Sequence, residues 1–169
     1  MKFLLAAINA KYIHSNPGVY SLRAFAQTKV PGADIEIGEY TINHQMDLIL
    51  QDIYRRKPDF IGFSCYIWNI SHVMEIVRDV KKVLPETEIW LGGPEVSYDA
   101  KKILEREPDV RGVMRGEGEL TFTELVQGVF EAGRTVRSRL RSGSHSGNYV
   151  PRRERRDCGT WSPAPSESR

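Results

Sequence analysis

Five short apolar runs, each followed by a segment with helical spacing, leave this chain few ways to fold. The runs are Phe3–Ile8, Ile35–Tyr40, Asp59–Cys65, Glu88–Leu91 and Val110–Met114. The first is apolar at every position, as expected for a strand covered on both faces. Asn16-Pro17 supplies a helix cap and then a proline at the first helical position, which predicts a helix reaching about Lys29. Pro31-Gly32 makes the turn before the second run. Met46, Ile49, Leu50 and Ile53 follow the i, i+3, i+4, i+7 rule, so a second helix ends before Pro58. Ile70, Val73, Met74, Val77 and Val80 form the stripe of a third, stopped near Pro85. A shorter helix is predicted from Ser97 to Glu107, with Ala100, Ile103 and Leu104 inward. Phe122, Leu125, Val126 and Val129 mark a last helix, with Gly133 as its stop. Strands alternating with helical crossovers imply an α/β fold, a doubly wound parallel five-stranded sheet of flavodoxin-like order.

The 169 residues suffice for one domain and an appendage. No apolar run approaches the roughly 18–20 residues of a membrane span. Lys2 followed by Phe3–Ile8 resembles a signal peptide only briefly, because the run passes straight into Asn9 and Lys11. Cys65 and Cys158 stand in unlike contexts, a strand and a polar tail. A disulfide framework is therefore not expected, and the chain reads as cytoplasmic. Residues 1–133 carry 15 basic against 19 acidic side chains, whereas 134–169 carry nine arginines against three acids. That tail, rich in Ser, Arg, Gly and Pro, cannot bury enough apolar surface to offset its ordering entropy. It is predicted to be disordered, and to be an out-of-frame or truncated end of a longer gene. A nucleic-acid arm is disfavoured, since Tyr149 and Trp161 stand alone and offer no stacking platform.

Function in such a fold lies at the carboxyl ends of the strands. The first loop there, Asn9-Ala10-Lys11-Tyr12-Ile13-His14-Ser15-Asn16-Pro17-Gly18, exceeds the usual two to six residues, and such excess is usually functional. It matches neither the dinucleotide nor the P-loop fingerprint. His14 lacks a partner at metal-ligand spacing, and His44, His72 and His145 are scattered. Ser64-Cys65-Tyr66 closes the third strand, where Ser64 can donate a hydrogen bond into a crevice and Cys65 lacks the base a nucleophile needs. Gly92-Gly93 admits close backbone approach, Pro94 stiffens the exit, and Glu95 follows. In Gly116-Glu117-Gly118-Glu119 the carboxylates are suited to stabilising the positive end of the last helix and to bonding a ligand or a partner domain.

Taken together, the long loop, Ile61-Gly62-Phe63-Ser64, Leu91-Gly92-Gly93-Pro94-Glu95 and Gly116-Glu117-Gly118-Glu119 resemble the N-terminal cobalamin-binding domain of cobalamin-dependent radical S-adenosylmethionine proteins over residues 1–133. The resemblance implies a corrin over the strand ends, with its nucleotide tail beside the sheet near Ser64 and Gly92-Gly93. The cofactor-binding residues it implies are Asn9, Ala10, Tyr12, His14, Ser64, Cys65, Tyr66, Gly92, Gly93, Pro94, Glu95, Gly116, Glu117 and Gly118. The D-x-H-x-x-G pattern that supplies a cobalt ligand elsewhere is absent: Tyr12 holds the aspartate's place and Pro17 the glycine's. Cobalamin with its own base displaced and no histidine on cobalt is therefore expected, with Tyr12 or another loop residue covering the lower face. Members of this family continue into a barrel whose C-x-x-x-C-x-x-C thiolates hold a four-iron cluster that works with S-adenosylmethionine. Two cysteines cannot build that site, so the radical domain is expected to be missing from this chain.

Two other readings are open. A receiver-like regulatory domain needs clustered acids after the first strand and an aspartate ending the third, where Ile8-Asn9-Ala10 and Ser64-Cys65 stand. A glycosyltransferase-like half domain lacks any evident base or metal ligands.

Overall fold

The computed structural model describes residues 1–10 and 15–141, with side chains to Phe130. The elements are β1 (Lys2–Asn9), α1 (Pro17–Lys29), β2 (Asp34–Thr41), α2 (Met46–Arg56), β3 (Phe60–Ser64), α3 (Ile70–Val83), β4 (Glu88–Gly92), α4 (Pro94–Ser97), α5 (Ala100–Arg106), β5 (Gly112–Met114) and α6 (Gly118–Arg141). All neighbouring strands pair in parallel, in the order β2-β1-β3-β4-β5.

The order follows from which face each helix covers. Leu4, Ala6, Ile8, Ile61, Phe63 and Leu91 meet α2, α3, α4 and α5 on one face. Phe3, Leu5, Ala7, Phe60 and Met114 meet α1 and α6 on the other. The chain therefore leaves β1 toward one face and β3, its sheet neighbour, toward the other. A crevice opens at such a switch point, at the carboxyl ends of β1 and β3.

Several boundaries differ from the sequence reading. The single helix expected over Ser97–Glu107 is two pieces, α4 beginning at Pro94 and α5 beginning at Ala100. The strands read as Asp59–Cys65 and Val110–Met114 shorten to Phe60–Ser64 and Gly112–Met114. Gly133 does not stop α6, which continues to Arg141. Glycine lowers helix propensity without forbidding helix, and the Arg, Val and Leu after it are acceptable helix formers. The expectations for 142–169 lie outside the described residues.

One glycine fixes the packing of the β5 edge. A Cβ on Gly112 would come within 2.4 Å of the Trp90 ring, which stacks on Phe60 at 6.1 Å. Gly112→Ala is expected to lower stability by about 1–3 kcal/mol through forced repacking, read as a fall in the urea midpoint at unchanged slope.

Candidate functional site: the carboxyl edge

Three side chains organise the crevice, and two of them are amides. Asn16 caps α1, its Oδ1 accepting from the Gly18 N–H at 3.1 Å, while its Nδ2 donates to Ser64 Oγ at 2.8 Å. Asn69, fully buried, stands at the start of α3 yet makes no side-chain cap there. Its amide turns back to the strands instead. Nδ2 donates to the carbonyls of Ile8 and Ser64 at 2.8 and 2.9 Å, and Oδ1 accepts from the Tyr66 N–H at 2.8 Å. One amide thus ties the ends of β1 and β3 where their ladder stops.

The third is Glu39 on β2. It accepts from the Asn16 N–H at 2.8 Å, Asn9 Nδ2 at 3.3 Å and the Tyr20 hydroxyl at 2.6 Å. Burial pushes its carboxyl up, but hydrogen bonds from Tyr20, Asn16 and Asn9 outweigh that and hold its pKa below the usual range.

Ser64 and Gly92 are paired in register, as are Ala7 and Ser64, and Gly92 and Met114. Ala7, Ser64 and Gly92 therefore make a row of small residues, on the side of the sheet faced by α1 and α6. The two glycines after Leu91 differ in kind. Gly93 has φ +113°, and a Cβ there would lie 2.5 Å from the Cys65 carbonyl oxygen, so the exit of β3 itself demands this glycine. A Cβ on Gly92 meets only Met114, at 3.4 Å or beyond, leaving room along the row. Gly116 is a third case: φ +75° requires glycine, with open space around it.

The expected site residues distribute unevenly. Asn9, Ser64, Tyr66, Gly92, Gly93, Pro94, Gly116, Glu117 and Gly118 lie at the ends of β1, β3, β4 and β5, as do Ala10 and Glu95. Tyr12 and His14 lie outside the described residues. Cys65 turns its side chain away from the edge. Its thiol is fully buried in the α2/α3 core, donates to the Phe63 carbonyl at 3.7 Å, and is pushed up to about 12 by burial. It serves the edge only through its backbone, its N–H donating to the Gly92 carbonyl at 2.7 Å and its carbonyl accepting from the Glu95 N–H at 3.4 Å. Gly118 has a packing role as well, since a Cβ there would come within 3.0 Å of Leu22 on α1. Glu119, expected to favour the start of α6, stands in its first turn and accepts from Ser21 Oγ at 2.7 Å.

Asn16 as a partner of Ser64, Glu39, Asn69 and Trp68 escaped the sequence reading. Trp68 stacks on Tyr66 at 4.5 Å with rings 7° from parallel, and remains 46% exposed beside Ile67 at 76%. An asparagine before an apolar helical stripe reads only as a cap, so nothing in the sequence announced the Asn69 clamp. The ring pair had a signal in Tyr66-Ile67-Trp68, an apolar run beyond the strand end. A groove of about 430 Å³ lined by Leu50, Tyr54 and Val83 lies between α2 and α3, away from this edge.

Against known families, the B12 binding domain matches residues 4–126. The chain belongs to that family. Among characterised relatives, the cobalamin-dependent radical SAM methyltransferase TokK of Streptomyces tokunonensis is 36% identical over 70 residues, 41% of this chain and 10% of its own. The hopanoid C-3 methylase of Methylococcus capsulatus is 30% identical over 104 residues, 60% of this chain and 20% of its own. The B12-binding domain here thus spans a tenth to a fifth of the length of these relatives. In three dimensions it resembles the cobalamin-dependent S-adenosylmethionine radical enzyme OxsB, solved with aqua-cobalamin and S-adenosylmethionine bound: TM-score 0.64, 18% identity, 77% of this chain and 19% of that one. The fold is that of a cobalamin-binding domain, and the receiver-like alternative is not favoured.

The lowered Glu39 pKa has a definite consequence. Its stabilisation is present above the unfolded carboxyl pKa of about 4.3 and lost as pH falls through the lower folded value. Glu39→Gln is expected to lose roughly 1 kcal/mol at pH 7 and to lose less than the native chain on acidification. Urea unfolding at neutral and acidic pH checks this, because the other carboxylates are common to both proteins.

Proposed function

We propose that this B12-binding domain holds cobalamin with its base displaced from cobalt, the corrin over the ends of β1, β3 and β4 and the nucleotide tail descending past Ser64 and Gly92. The observation that carries the reading is the in-register row of Ala7, Ser64 and Gly92, where a missing side chain leaves space beside a hydroxyl. The residues fit the group in other respects. The stacked Tyr66–Trp68 pair offers an apolar platform at the switch point. Bound cobalamin supplies cobalt-centred group transfer; the chain's own residues bind it, orient it and shield one face.

The partner of the exposed edge is, on this reading, the radical S-adenosylmethionine domain of a longer relative, with its iron-sulfur cluster and S-adenosylmethionine. Ile67, Trp68 and Tyr98, the last 90% exposed, give that edge an apolar character suited to being covered. No catalytic step is assigned to this chain alone. A cytoplasmic setting accords with the buried free thiol of Cys65, and no helix among the described residues is long and apolar enough to cross a membrane.

The 169-residue chain incubated with hydroxocobalamin and then desalted is expected to retain a corrin spectrum of the base-displaced form. Gly92→Leu, which fills the row while tolerating a strand conformation, is expected to weaken retention by about tenfold or more without lowering the thermal midpoint comparably. Absence of retained corrin in the native chain overturns the reading.

A further inference from the structure

Ser64 has one proton and, among the described residues, nothing to give it to. The Asn16 amide cannot be its acceptor. Gly18 N–H is a donor only, so the atom facing it must be Oδ1, and the atom facing Ser64 must then be Nδ2. Ser64 Oγ is therefore the acceptor at 2.8 Å, and its own O–H must point elsewhere. Asn16 is itself fixed twice more, by burial to 8% exposure and by the bond from its N–H to Glu39 at 2.8 Å. One asparagine caps α1 and orients a hydroxyl on β3, an element 48 positions away in sequence.

We infer that Asn16 is a positioning residue for the cofactor tail: by occupying the acceptor side of Ser64 Oγ, it keeps the Ser64 proton free for the nitrogen acceptor of the displaced nucleotide base. This rests on the cobalamin reading above and adds the device that makes Ser64 a donor toward the crevice. A freely rotating serine spends part of its time donating to backbone or water, and that orientation cost is subtracted from binding. Asn16 removes it in advance.

Asp at position 16 reverses the polarity while keeping the cap. One carboxylate oxygen still accepts from Gly18, and a negative charge at a helix N-terminus is favourable. The other oxygen, an acceptor only, takes the Ser64 proton away from the ligand. The test compares hydroxocobalamin with diaquocobinamide, which lacks the nucleotide tail, on the native chain, N16D, S64A and the double variant. The native chain is expected to bind cobalamin more tightly than cobinamide. N16D is expected to lose about tenfold for cobalamin with cobinamide affinity little changed, and to add no further loss in the S64A background. A merely structural role for Asn16 weakens both ligands together and survives removal of Ser64, which overturns the inference. Equal binding of the two ligands by the native chain also overturns it, while leaving cobalamin binding intact. Binding of neither overturns this inference and the functional reading alike. Should N16D unfold, N16S, which keeps a capping oxygen and loses the amide donor, makes the same comparison, and an unchanged preference for cobalamin there overturns the inference.

Discussion

Where two neighbouring parallel strands send their chains to opposite faces of a sheet, the last backbone groups lose their ladder partners. Those groups are strong donors and acceptors, and leaving them unpaired under a helix carries a large cost. In this protein the solution is one buried side chain. Asn69 reaches the carbonyls of Ile8 and Ser64 together and anchors the Tyr66 N–H. Two strand ends and the start of the next loop are thereby one rigid object. The crevice is the gap that this clamp holds open, and the rest of the edge is arranged around it.

That clamp divides the work between the two faces. On the α2/α3 side, Cys65, Ile8 and Phe63 complete an apolar core that gains nothing from contact with a ligand. On the α1/α6 side, the same strand ends present Ala7, Ser64 and Gly92, a row of small residues. Alternation along each strand makes this possible, because successive residues point to opposite faces. One residue can complete the core while the next is left small for a ligand. A one-residue slip of β3 would exchange Ser64 with Cys65 and abolish the site while keeping the sheet's composition.

The fold was legible because its signals are periodic and redundant. Five apolar runs, the cap at Asn16-Pro17 and the breaks at Pro58 and Pro85 agree with one another, and each marks an element the structure contains. The boundaries that failed rest on single residues: Gly133 inside a helix, and Pro94, which begins a short turn of helix earlier than the apolar stripe suggested. In the candidate edge, the glycines at the strand ends were legible as positions of missing side chains, at Gly92, Gly93 and Gly116. Even there the sequence merged three causes, since Gly93 answers to the Cys65 carbonyl, Gly116 to its own φ, and Gly92 to neither. The polar framework was not legible. Asn16 to Ser64, Glu39 to Tyr20 and Asn69 to Ile8 join residues 48, 19 and 61 positions apart, and nothing local reports such a pairing.

Two ionisable groups near the edge are tied up by their surroundings. Glu39 has both carboxylate oxygens engaged by donors and its pKa lowered, so it has no proton to give as an acid and little affinity for one as a base. Cys65 is buried and its thiol pushed up to about 12, which removes the thiolate a nucleophile requires. Beside these groups the edge carries the Asn16 amide, the Ser64 hydroxyl, the stacked Tyr66 and Trp68 rings and bare backbone. The amide carries no charge, and it is held in place by Glu39 and Gly18, outside the crevice. Such a surface can orient a cofactor without competing with its chemistry, which is the division of labour that cofactor proteins require.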